Sequence, residues 1–241
     1  MKLTRSTASR ASNRITFGVF VLFFFVFTVT SSAQSPSPKE TDGGATFAFE
    51  LEKEYSRFFS LSIEEEVRLI SNRVNFDRSV TSLGADCSLF DRRLKVGAHY
   101  AFIYLYNDDY LYEPRHRIYL NILYKETFEP ITLSWRGRLQ STFRDENHGA
   151  YRINPKYVLK NRIRAEYAIW GSPWKPFLSC EFSNDLNDPE SNAPARFRYE
   201  GGASWRLNRT DYLDLFVRFD RYTSGKDPNA VFLGVEYKIK L

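Results

Sequence analysis

Residues 231–241 read VFLGVEYKIKL. Val231, Leu233, Val235, Tyr237, Ile239 and Leu241 fall on one side of an extended chain, and Gly234, Glu236, Lys238 and Lys240 on the other. Successive strand side chains point to opposite faces, so the segment is apolar on one face and charged on the other. The same rhythm runs back through the chain. In 130–142, Ile131, Leu133, Trp135 and Leu139 share one face, with Thr132, Ser134, Arg136, Arg138 and Gln140 on the other. In 195–207 the apolar set is Phe197, Tyr199, Gly201, Ala203, Trp205 and Leu207, and the polar set Arg196, Arg198, Glu200, Gly202, Ser204 and Arg206. A slip of one residue would carry arginines onto the apolar face, so register is well specified.

This alternation predicts strands at 46–54, 58–69, 79–89, 94–106, 115–125, 130–142, 156–169, 174–183, 195–207, 211–221 and 230–241. Most reach the ~9–11 residues that a tilted strand needs to cross a bilayer, where soluble strands average nearer ~5–6. One residue breaks the pattern: Glu65 shares the apolar face of Ile63 and Val67.

The front of the chain reads differently. Lys2, Arg5, Arg10 and Arg14 precede an apolar run, ITFGVFVLFFFVF, at 15–27, and small residues close it at Ser31, Ser32 and Ala33. This is the pattern of a secretory signal peptide cleaved after Ala33. The run falls short of the roughly 20 residues of a spanning helix. The predicted organisation is a signal peptide at 1–33, a short Ser/Pro linker or an extra strand at 34–45, and a barrel domain at 46–241. No Cys follows the cleavage site, so a lipid anchor there is not expected.

Aromatic residues make up 17% of the chain, with 15 Tyr and 21 Phe. They suit the girdles of an outer-membrane barrel, although soluble β-proteins favour them too. The net charge of +5 includes the four basic residues of the leader, so the remainder stands near +1. A nucleic-acid partner loses its support. Export permits a disulfide between Cys87 and Cys180, but nothing in the sequence brings them together.

Connections alternate in length. Short ones fall at 55–57, 90–93, 126–129, 170–173 and 208–210, and longer polar ones at 70–78, 107–114, 143–155, 184–194 and 222–229. Bacterial outer-membrane barrels place short turns in the periplasm and long loops outside, and use even strand numbers. Eleven candidates violate that parity. Either 34–45 hides a strand, giving twelve, or 46–54 lies outside a ten-stranded wall. The fold class is therefore an all-β, antiparallel transmembrane β-barrel of 10–12 strands.

The segments SLSIEEEVRL (60–69), FDR (76–78), LKVGAHY (94–100), EPRHR (113–117), RGRLQSTFR (136–144), NRIRAEY (161–167), KPFLSCEFSN (175–184) and FLGVEYKIK (232–240) together resemble one bacterial secreted family. It is the outer-membrane group named domain of unknown function 2490, and the likeness covers roughly 45–241. The resemblance implies a barrel in the outer membrane of a Gram-negative cell. It carries over no activity and no catalytic residues.

An Arg-x-Arg recurs at Arg115/Arg117, Arg136/Arg138, Arg162/Arg164 and Arg196/Arg198. Spacing of two sets each pair on one strand face, here the inner one. Carboxylates available to face them include Glu50, Glu52, Glu54, Glu64, Glu66, Glu166, Glu181, Glu200, Asp214 and Asp220. Two readings stand: salt bridges bracing a narrow lumen, or an anion-attracting constriction for carboxylate or phosphate groups.

His99, His116 and His148 lack metal-ligand spacing, so no metal and no cofactor is expected. No nucleophile motif frames Ser134 or Ser204. His99 beside a serine would meet the logic of an activated nucleophile, but the sequence shows no such neighbour.

The expectation is a structural or narrow-pore outer-membrane barrel with an Arg-rich lumen, and not an enzyme. A lipid-modifying barrel enzyme and a soluble exported binder are the alternatives. The expected partners are outer-membrane lipid and lipopolysaccharide, a small anionic solute, and the barrel-assembly machinery. That machinery would read Gly234, Tyr237, Ile239 and Leu241 in the last strand.

Overall fold

The computed structural model describes residues 41–70, 75–106, 112–144, 153–188, 194–223 and 228–241. The predicted leader at 1–33, residues 34–40, His148 and most of the acidic connections lie outside them. Eleven strands run in chain order: β1 (Asp42–Ser56), β2 (Phe59–Ile70), β3 (Asn75–Leu89), β4 (Leu94–Tyr106), β5 (Tyr112–Phe128) and β6 (Ile131–Arg144). Then come β7 (Lys156–Tyr167), β8 (Trp174–Asp185), β9 (Arg196–Arg206), β10 (Asp211–Tyr222) and β11 (Ala230–Lys240). All join one closed barrel in sequential order. Every predicted strand is present.

The count corrects the expectation of ten or twelve. Segment 46–54 belongs inside β1, which is part of the wall, and residues 42–45 extend that strand rather than forming a linker. Eleven strands make the first and last run the same way, and they pair in parallel from Asp42↔Ala230 to Glu52↔Lys240. The other ten pairs are antiparallel. A parallel ladder satisfies backbone groups nearly as well as an antiparallel one. Parity is thus no obstacle to closure, and β1 starts at the end of the barrel that carries the long connections.

The two faces divide as the alternation requires. Phe47, Leu83, Ile118, Leu120, Leu133, Trp135, Ile163 and Leu233 stand exposed on the outer face. Short hairpins carry Phe58, Phe90, Phe128 and Trp170, all exposed, at one end of the barrel. At the other end, Tyr104 stacks on Tyr112 (4.8 Å between rings) and Phe76 lies beside both. Outward Glu65 is not bare, because Ser79 Oγ and Thr81 Oγ1 of β3 each donate to its carboxylate.

Inside, a few large rings need small neighbours. Phe216 is 7% exposed and occupies the space beside Gly202 and Gly234, where a Cβ would collide with it. Phe232 sits likewise against Gly44. Gly234, expected as an assembly signal, thus has a local packing role. Outward Tyr237 stacks on Phe49 across the seam, 6.1 Å between centroids, and Ile239 pairs with Leu51. Leu241 donates its N–H to the Glu52 carbonyl at 2.9 Å. Cys87 and Cys180 are free thiols on β3 and β8.

The parallel seam is directly testable. In a Cys87→Ser, Cys180→Ser background, Phe47→Cys with Val235→Cys places two thiols on register partners, a spacing a disulfide tolerates. Oxidation is expected to give a crosslinked band, removed by reductant, on a denaturing gel. Phe47→Cys with Val231→Cys, four residues out of register, is expected to stay uncrosslinked. Equal crosslinking of both pairs, or of neither, contradicts this closure.

Candidate functional site

The inward residues of all eleven strands enclose a lumen with a cavity of about 960 Å³. Alternation alone puts the charged positions there; the barrel then decides which of them meet. Their arrangement is not uniform.

One sector is tightly paired. Arg198 of β9 sends Nε and Nη2 to the two carboxylate oxygens of Asp220 on β10, at 2.7 and 2.8 Å. Arg196 reaches Asp220 (3.8 Å) and Glu181 of β8 (3.4 Å), and Arg136 of β6 reaches Glu181 from the other side at 2.8 Å. Arg164 of β7 contacts Glu166 (2.8 Å) and Asp214 (3.6 Å), with its guanidinium 3.7 Å above the Phe177 ring. Arg218 joins Glu200 (3.0 Å) to Glu66 (4.0 Å), and Glu66 also meets Arg68 at 3.3 Å. Fork-shaped guanidinium contacts of this kind are the strong form of charged hydrogen bond.

A second sector has no ion pairs among the described residues. There Arg117 of β5 donates to Thr142 Oγ1 (3.1 Å), and Arg138 of β6 to Asn121 Oδ1 (2.8 Å) while lying 4.2 Å over the Tyr119 ring. Lys160 and Arg162 of β7 line the lumen with no ion pair or side-chain hydrogen bond among the described residues. Arg138 and Lys160 are register partners, as are Arg136 and Arg162. Arg117, Arg138, Lys160 and Arg162 therefore form a cationic stripe on three adjacent strands, with only Arg138 and Lys160 in direct register.

The opposite wall is acidic. Glu50 and Glu64 are register partners on β1 and β2, with Glu66 two residues further along and Glu236 on β11. Lys238 neutralises part of this group, at 3.0 Å from Glu236 and 3.8 Å from Glu50. Glu64 makes no ion pair among the described residues, and its interactions include Arg138 of the facing wall. In a ring of eleven, β6 is five strands from both β1 and β11, so the two walls face one another. Cationic side chains still outnumber carboxylates around the cavity.

Residues 46–230 match the family described as Protein of unknown function (DUF2490). The chain belongs to the DUF2490 family. No curated protein matches it.

All eight arginines of the Arg-x-Arg pairs line this DUF2490 lumen, some inside ion pairs and some outside them. Among the described residues, Arg117, Arg138 and Arg162 form no ion pair with a carboxylate. Arg115 takes Glu113 (2.8 Å), which is 1% exposed and lies two residues before it on the same strand. Glu113 escaped the sequence reading, though its i, i+2 spacing from Arg115 was the available signal. Asp77 and Asp86 were missed as well. The His116 ring faces outward and its Nδ1 lies 2.7 Å from Tyr100 Oη.

Two substitutions separate the sectors. Asp220→Asn strips the charge that satisfies Arg198 and Arg196, and breaking such a buried pair costs about 3–5 kcal/mol. Arg162→Gln removes a cation without a counterion and is expected to cost under about 1 kcal/mol. Urea midpoints, followed by the mobility of unboiled protein on gels, check both. A large loss for Arg162→Gln contradicts the division.

Proposed function

We propose that this protein is an outer-membrane β-barrel whose lumen attracts small anionic solutes into a narrow passage. The stripe of Arg117, Arg138, Lys160 and Arg162 carries the reading. Unpaired cations in a water-accessible cavity supply donors that an anion can take without first breaking an internal salt bridge. The acidic wall opposite gives a transverse field, which favours solutes that enter with their negative end toward β5–β7. The salt bridges of β8–β10 hold the rest of the wall in shape.

Three features support the membrane placement. The outer face is an apolar band, aromatic residues gather at both of its ends, and strands of 11–17 residues exceed what a bilayer crossing needs. A lipid-facing Arg at midplane would cost ~2–4 kcal/mol, and the outer face puts none among its middle positions. The N-terminal leader pattern gives the route of export. An apolar exterior this extensive disfavours the soluble-binder alternative.

Purified protein in a planar bilayer under a KCl gradient tests the reading. Conductance with an anion-selective reversal potential is expected. Replacing Arg117, Arg138, Lys160 and Arg162 together by Gln is expected to move that potential toward cation selectivity. A closed wall, or cation selectivity in the wild type, contradicts the proposal.

A further inference from the structure

The lumen row formed by register partners Ser62 (β2), Gly84 (β3), His99 (β4) and Tyr119 (β5) meets the charge stripe at Tyr119, which lies between His99 and Arg138. His99 lies along the wall rather than pointing to the axis. Its Nδ1 and the Ser62 Oγ both border the point where a Gly84 Cβ would sit. Any side chain at 84 would part them. Its other nitrogen, Nε2, is 3.2 Å from Asp86 Oδ1, and that carboxylate in turn lies over Gly97, where a Cβ would strike it. Two glycines on neighbouring strands thus let an imidazole and a carboxylate lie flat on the sheet, in line with a serine.

The ring is fixed on its remaining sides. Tyr119 stacks on it at 4.8 Å and an interplanar angle of 5°, and Lys95 Nζ stands 3.4 Å from Asp86 Oδ2, which holds that carboxylate in place. With Nε2–H donating to Asp86, the lone pair of Nδ1 is directed to the Gly84 gap and Ser62. Ser62 has no hydrogen-bond partner among the described residues, and Ser62, Asp86 and His99 all border the cavity. Asn121, one row away across Gly97, accepts from Arg138 through Oδ1, leaving its amide N–H groups to donate.

We infer that Ser62, His99 and Asp86 form a hydrolytic centre in the lumen, acting on small carboxylic esters. His99 Nδ1 takes the Ser62 proton as Oγ bonds to the ester carbonyl carbon, and the carbonyl electron pair moves onto oxygen. Collapse expels the alkoxide, which takes that proton from His99 and leaves as the alcohol. Water, deprotonated by His99, then attacks the acyl carbon, and Ser62 leaves as the hydroxyl with the returned proton. The net change is ester plus water to acid plus alcohol. Asp86 is a positioning residue, holding the tautomer in which Nδ1 is the base. The cavity of about 960 Å³ has room for a small ester.

The test uses full-length protein folded in detergent, with p-nitrophenyl acetate as a neutral substrate and an alkyl fluorophosphonate as covalent probe. Neither depends on the anion-attracting reading, so failure of one leaves the other standing. The probe is expected on Ser62, mapped by peptide mass, with fluoride released. Ser62→Ala abolishes labelling, and His99→Gln slows it about 100-fold or more, the size of a general-base contribution. Asp86→Asn lowers kcat for the ester with KM unchanged and has no further effect in the His99→Gln background. Gly84→Ala, which fills the gap, loses labelling while the unboiled band keeps its mobility. Ser134→Ala is labelled as wild type. Absence of labelling and turnover in folded wild type, labelling elsewhere, or turnover that survives Ser62→Ala overturns the inference.

Discussion

Every backbone N–H and C=O along a sheet edge needs a partner, and in this barrel that need is met by pairing the two ends of the chain's sheet to one another. The β1–β11 ladder covers eleven register pairs and is extended at its end by Leu241 and Glu52, with Leu241 N–H on the Glu52 carbonyl at 2.9 Å and Glu54 N–H on the Leu241 carbonyl at 2.8 Å. Without it, two long strands would present open edges, which are templates for aggregation. The seam also fixes the lumen. It brings Glu236 beside Glu50 and Glu64, and so makes one acidic wall from residues nearly two hundred positions apart in sequence.

Charge inside the barrel does two kinds of work. On β9 and β10, Arg196, Arg198 and Arg218 are each held by at least one carboxylate, and the pairs cross from strand to strand. Such pairs add little net stability against apolar packing, yet removing one partner is costly, so they act as specific braces. On β5–β7, Arg117, Arg138, Lys160 and Arg162 sit close to one another and form no ion pair among the described residues. Thr142, Asn121 and the Tyr119 face take up part of their donor and quadrupole needs. A wall of this kind is less stable than a paired one. In a water-accessible lumen that deficit is what the proposed anion would relieve.

Small residues set the shape of the inner surface. Gly202 and Gly234 make room for Phe216, and Gly44 for Phe232, so the lumen narrows where rings fold down onto the wall. Arg218 then lies 4.9 Å from the Phe216 ring and Arg68 4.8 Å from Phe232, so the charged layer rests on the aromatic one. Gly84 and Gly97 use the same device for His99 and Asp86. The proposed ester site and the proposed anion stripe are therefore separate consequences of one rule: on a sheet wall, a glycine opposite a large side chain lets it lie down.

Alternation in the sequence determined the strands and their faces. β4 was legible residue for residue as 94–106, and the inward and outward sets of β6, β9 and β11 were read correctly, because side-chain direction in a strand depends only on local backbone geometry. The exception at Glu65 was also legible, though not the Ser79 and Thr81 hydroxyls that meet it. What the tertiary structure alone decided was closure and company. Strand count failed on parity, since nothing local in 46–54 states that its edge pairs in parallel with 230–240. The Arg-x-Arg repeat could be placed inside, yet Arg198 with Asp220 and Arg162 with no carboxylate look alike in one dimension. Ser62 and His99 are 37 positions apart and border one gap only because β2, β3 and β4 stack in one register over Gly84. Faces follow from a period of two; partners follow from register and closure, which are set by long-range pairing.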